Sequence, residues 1–182
     1  MPSTLPLARA LARPPDVASR DHVEARAVAR TVHRSDHGHR ELLDRIRSIC
    51  AELGGEKVHF LERDSPPLVL DGVRVVGGTL WGHVPVEAQL EAAGAESVEY
   101  KLSDYRHIFM PPEPSSKKNR LLTADDTNGW HAATRDAIAA AARESGAARR
   151  PVLVLTHHAP TFRLPHEHAQ GPLRWALASD AL

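Results

Sequence analysis

The chain has 182 residues, is 42% hydrophobic and carries 14 prolines and 11 glycines, a size that gives one domain with a real core and little room for two. Lys plus Arg equals Asp plus Glu at 23 each, so no net field draws the protein to nucleic acid or anionic lipid, and no clear nucleic-acid patch stands out. No stretch approaches the roughly 18 to 20 apolar residues that span a bilayer, and the single cysteine, Cys50, excludes an internal disulfide framework. The chain reads as a soluble, cytoplasmic protein without a membrane partner.

Residues 1–39 are rich in Ala, Arg, Pro and His, and Leu5, Leu7, Leu11 and Val17 follow neither a helical nor a strand period. This leader is expected to add no core element and to be disordered or unrelated to the rest of the chain. Its Arg-rich, acid-poor start is reminiscent of a transit peptide, but Asp16, Asp21 and Glu24 interrupt that character. From Arg40 the pattern sharpens. Leu42, Leu43, Ile46, Ile49, Cys50 and Leu53 share one face of a predicted helix, opposite Asp44, Arg45, Arg47 and Glu52, and Gly54-Gly55 ends it. On that face the thiol of Cys50 is expected to be buried and inert.

Val58 to Leu61 is a strand candidate. Pro67 to Leu70, Asp71-Gly72 and Val73 to Val76 predict a hairpin with a tight turn. Gly77-Gly78 follows directly, where backbone must turn or pass close to a neighbour. From Pro85 to Arg120 the chain is polar, with Pro111 to Asn119 expected as an exposed loop. A second helix is predicted from Thr123 as cap, with Asp125 and Asp126 in the positive first turn. Its core face would be Trp130, Thr134, Ala137, Ile138 and Ala141, and Gly146 its stop. Val152 to Leu155 reads as a strand covered on both faces, and it runs into Thr156-His157-His158-Ala159-Pro160.

Twelve histidines make metal chemistry worth testing. Neutral imidazoles at a rigid strand end suit a divalent metal, and Pro160 stops the strand behind them. The competing reading is that His157 and His158 simply bond to nearby carbonyls. Asp36-His37-Gly38-His39 has ligand types but no periodic scaffold, and His166-Glu167-His168 lies among loop residues. A further possibility is that His37, His39, His157, His158, His166 and His168 converge on one metal. There is no nucleophile elbow, no phosphate-cradling P-loop and no zinc-finger cysteine spacing.

Val58 to Glu62, Asp71 to Arg74, Val76 to Trp81, Ser103 to Arg106, Leu122 to Thr127, Val154 to Pro160 and Ala178 to Asp180 together resemble, in order, blocks of the calcineurin-like metallophosphoesterases. The resemblance covers roughly residues 40–182 and matches the middle and later part of that domain. It implies an α/β fold, part of a four-layer α/β/β/α sandwich, and two divalent metals (Mn, Fe or Zn) that activate a water for attack on a phosphate mono- or diester. It places metal ligation on His157 or His158, with His157 favoured as the first imidazole off the strand.

The family's Asp-x-His, Gly-Asp, Gly-Asn-His-Asp/Glu and Gly-His-x-His motifs do not occur in the chain. One or two imidazoles cannot hold two dications, so the chain is expected to be a partial phosphoesterase, inactive alone, with a non-catalytic binding module as the alternative. The abrupt change of composition near His39, and a helix start expected at Ala178-Ser179-Asp180 where the chain stops at Leu182, fit translation of part of a GC-rich gene out of frame. The other reading frames of the encoding DNA are then expected to contain the missing motifs.

Overall fold

The computed structural model describes residues 38–54, 58–66, 68–92, 94–112, 115–116, 118–163 and 171–181. By contacts the chain divides into two units, residues 1–35 and 36–182, and all described residues belong to the second. The predicted leader therefore falls almost wholly outside them, as do His37, His166 and His168. In chain order the elements are α1 (His39–Glu52), β1 (Leu68–Leu70), β2 (Val73–Gly78), α2 (Val86–Glu91), α3 (Val98–Lys101), α4 (Asp104–His107), β3 (Phe109–Met110), β4 (Arg120–Leu121), α5 (Ala124–Ala147), β5 (Val152–Thr156) and α6 (Leu173–Leu177). The chain is thus of the α/β class.

Asp71 and Gly72 have φ of 48° and 81°, positive at both centre positions as a type I′ turn requires, and they close β1 onto β2 with Leu70 opposite Val73. The other edge of β2 pairs in parallel with β5, Arg74 beside Val152 through Gly78 beside Thr156, so β2 is the centre of a three-stranded sheet. A Cβ on Gly77 would lie 2.0 Å from the Leu155 carbonyl oxygen. That is the close approach expected of the glycine pair.

Helix α5 covers one face of this sheet. Arg74 donates to Glu144 at 2.7 Å, and a Cβ on Gly78 would meet Thr134 at 3.2 Å. Side chains alternate along a strand, so Leu153 and Leu155 point to the opposite face and remain 47% and 48% exposed. The expectation that β5 is covered on both sides is therefore corrected: among the described residues a helix packs on one face only.

Thr123 and Asp126 form a capping box at the start of α5. Thr134, Ile138 and Ala141 are buried as predicted, whereas Trp130 and Ala137 are half-buried. The same stripe also buries Thr127, His131 and Ser145. Two of the threonines in it bond to their own helix: Thr127 donates to the Ala124 carbonyl at 2.9 Å and Thr134 to that of Trp130 at 2.8 Å. The helix runs one residue past Gly146. Helix α1 begins at His39, inside the predicted leader, and its apolar face, including Cys50, is half-buried.

Val58 to Leu61 form no strand. Ser65 donates to the Phe60 carbonyl at 2.9 Å and accepts from the Glu62 amide at 2.7 Å, so a local turn takes the backbone groups that a neighbouring strand would need. Among the described residues the polar middle of the chain holds three short α-helices and a 3-10 turn at Gly94–Glu96, and within 111–119 every described residue is exposed. The main core gathers Val84, Val98, Tyr105, Leu122, Ala124 and Ala176. Ala178 to Asp180 is not a helix start: Ala178 bridges Ala159 in parallel, and the Ser179 amide donates to the Ala159 carbonyl at 3.1 Å.

Candidate functional site

The parallel pairing of β2 and β5 continues past the strands. The His157 amide donates to the Gly78 carbonyl at 3.3 Å and the His158 amide to that of Thr79 at 3.1 Å, which fixes the backbone of both histidines against the segment leaving β2. Their rings lie 5.0 Å apart, tilted by 35°. His157 is exposed and His158 half-buried. The second ring meets Trp81 edge to face, 5.6 Å between centroids at 89°.

Trp81 extends the cluster inward. Its ring is 5.6 Å from that of Trp130, and Trp130 lies 4.0 Å from His39 at the start of α1. Four chain regions thus meet in one aromatic run, from His157 and His158 through Trp81 and Trp130 to His39. Burial, reinforced by the Arg63 guanidinium, lowers the pKa of His39 against the opposing pull of Glu62 and Asp126, and its Nε2 is enclosed without a hydrogen-bond partner among the described residues. That imidazole is neutral near pH 7.

His131 supports the Trp81 backbone. Its Nδ1 sits 2.7 Å from the Trp81 carbonyl oxygen, and a carbonyl only accepts, so Nδ1 carries the proton. Burial lowers its pKa, the bond to Trp81 opposes that, and the nearby His83 and Arg135 lower it further. Glu62, only 8% exposed, accepts from the Thr79 amide at 3.1 Å and the Thr79 hydroxyl at 2.5 Å. A buried carboxylate with such partners is a structural anchor for the chain leaving β2.

Of the residues proposed from sequence, the structure brings His157 and His158 together and sets His39 at the far end of the same run. Asp126, whose charge is felt by His39, is held by both guanidinium nitrogens of Arg120 at 2.6 and 2.8 Å, which with Thr123 draws its pKa down to about 2. Glu62 and His131 were not singled out in the sequence. The one signal for them is a polar residue at an otherwise core-facing position, Glu62 after Val58 to Leu61 and His131 within the buried stripe of α5.

Among the described residues no three or more His, Cys, Asp or Glu side chains gather as a metal-binding group. Two neighbouring imidazoles, one of them packed against an indole, can supply a ligand or two, but they do not fit a two-metal centre by themselves, because among the described residues no carboxylate joins them in a metal-binding group to offset the charge of two dications. Among the same residues no helix is long and apolar enough to cross a membrane.

No protein-family model matches the chain, and no solved structure does. The chain is 29% identical over 93 residues to an uncharacterized protein of Acanthamoeba polyphaga mimivirus, a stretch that covers 51% of this chain and 29% of the viral protein. The matched part therefore spans under a third of that relative's length.

Proposed function

We propose that this chain is a partial metallophosphoesterase of the calcineurin-like type, in which His157, backed by His158, contributes imidazole to a divalent-metal centre acting on a phosphate ester in the cytoplasm. The observation that carries the reading is the strand–helix–strand unit of β2, α5 and β5, which delivers Thr156-His157-His158 to a strand end beside Gly78 and Thr79. Ligands outside the carboxyl ends of parallel strands are the rule in α/β sheets. In the complete four-layer arrangement a second sheet would lie on the face that carries Leu153 and Leu155. The imidazole pair alone lacks the carboxylates of a two-metal site, so the chain by itself is inactive.

A non-catalytic module is the second reading, favoured by the sparse donor set and by the apolar face at Leu153 and Leu155. Titration of the purified chain with Mn²⁺ or Zn²⁺, and then hydrolysis of a nitrophenyl phosphate mono- and diester, separates the two. The phosphoesterase reading expects weak binding of one ion, lost in His157→Ala and reduced less in His158→Ala, with no turnover. Binding that is indifferent to both substitutions leaves the module. Turnover that depends on His157 would keep the chemistry and overturn the claim that the chain is inactive alone.

A further inference from the structure

Residues 79–84 leave β2 in a conformation that needs explanation. Leu80 has φ of 47° and is completely buried. A branched, non-glycine side chain in the left-handed region is strained and persists only where its surroundings over-determine it. Here they do so at four successive places. Glu62 holds the Thr79 amide and hydroxyl, and His131 holds the Trp81 carbonyl. Gly82 passes so close to α6 that a Cβ would lie 2.2 Å from the Trp175 carbonyl oxygen. Asn128 clasps Val84 from both sides, accepting from its amide at 2.7 Å and donating to its carbonyl at 2.9 Å. Each of these four contacts is made to the strap itself. What they hold in common is the direction of Trp81, whose ring stands perpendicular to that of His158.

We infer that residues 79–84 form a strained strap that sets the Trp81 ring against His158, with Glu62, His131 and Asn128 as positioning residues that fix the His158 imidazole and, through it, the outlook of His157. The inference rests on reading His157 and His158 as the pair that carries the chemistry. The strain is then functional. A different φ at Leu80 would swing the carbonyl and ring of the next residue elsewhere.

The test is nuclear magnetic resonance of the metal-free chain, reading the imidazole carbon-bound protons of His158, the indole NH of Trp81 and, as a remote control, His107 on α4. Trp81→Leu identifies the ring-current contribution. His131→Leu removes the donor to the Trp81 carbonyl, whereas His131→Asn keeps one at the Nδ1 position. Thr79→Val removes only the hydroxyl bond to Glu62, and Thr79→Ser restores it. The strap expects the His158 signals to move in His131→Leu and Thr79→Val towards their position in Trp81→Leu, to return in His131→Asn and Thr79→Ser, and His107 to stay in place throughout. If His131→Leu fails to fold, the Thr79 pair carries the same comparison. A loss of thermal stability in these variants with His158 and the Trp81 NH unmoved would overturn the inference and leave the strap as core packing. Because no metal or substrate enters the measurement, a failed metal titration and a failed strap are separate results.

Discussion

Burial holds His39 and His131 neutral, and both have their pKa lowered from 6.5 for that reason first. In the unfolded chain each takes up a proton near 6.5, while the folded chain resists it. The unfolded state therefore binds more protons as the pH falls, and stability falls with it. The stabilisation from the two neutral rings is complete above 6.5 and is lost as the pH drops through the lowered folded values. The urea midpoint should accordingly be level at pH 7 to 8 and decline below about pH 6.5, with a shallower decline in His131→Asn. A midpoint that is flat across this range would show that the two rings are not held neutral. Tyr105 is the opposite case, its phenol pushed up to about 12, chiefly by burial. Its hydroxyl, 3.0 Å from that of Thr127, is a core hydrogen bond and never a physiological charge.

Among the elements, α5 matters most, because it forms the back of the sheet and supplies Asn128, Trp130 and His131. Its start is secured by the Thr123–Asp126 box, and Asp126 also holds Arg120. Thr123→Ala should cost about 1 kcal/mol, the usual loss of a side-chain cap, read as a shift in the urea midpoint at neutral pH. The acid limb comes from the lowered carboxyl: the contribution of Asp126 is fully present above the ordinary carboxylate range and disappears as the pH falls towards about 2. Asp126→Asn should flatten that limb, and an unchanged acid profile would assign the pairing no role in stability. The hairpin and α5 were both legible beforehand, since Asp71-Gly72 and Thr123 with Asp126 are local signals that act within a few residues. Val58 to Leu61 misled for the complementary reason. Its composition suits a strand, but a strand needs a partner, and here Ser65 satisfied the backbone first.

At the scale of the whole molecule, the sheet face opposite α5, on which no helix packs among the described residues, dominates. Leu70, Leu153 and Leu155 share it and are each close to half exposed, an apolar surface flanking an edge strand without a charged residue. Replacing Leu153 and Leu155 together by Thr keeps strand propensity and should reduce binding of a hydrophobic dye and self-association in sedimentation. Unchanged association would place the sticky surface elsewhere.

Periodicity and turn chemistry alone determined α1, the hairpin, α5, β5 and the position of the histidine pair at a strand end, because each is specified by neighbours along the chain. Only the tertiary structure decided that β5 lies beside β2, that among the described residues a helix packs on one of its faces only, and that His39, Trp130, Trp81 and His158 form one run. Those relations join residues as far apart as His39 and His158, and they depend on which surfaces remain to be buried once the local elements exist. No short-range pattern encodes that. The same holds for Glu62 and His131: as residues in a string they are an acid and a base at apolar positions, and only the fold shows the amide, hydroxyl and carbonyl that make their burial favourable.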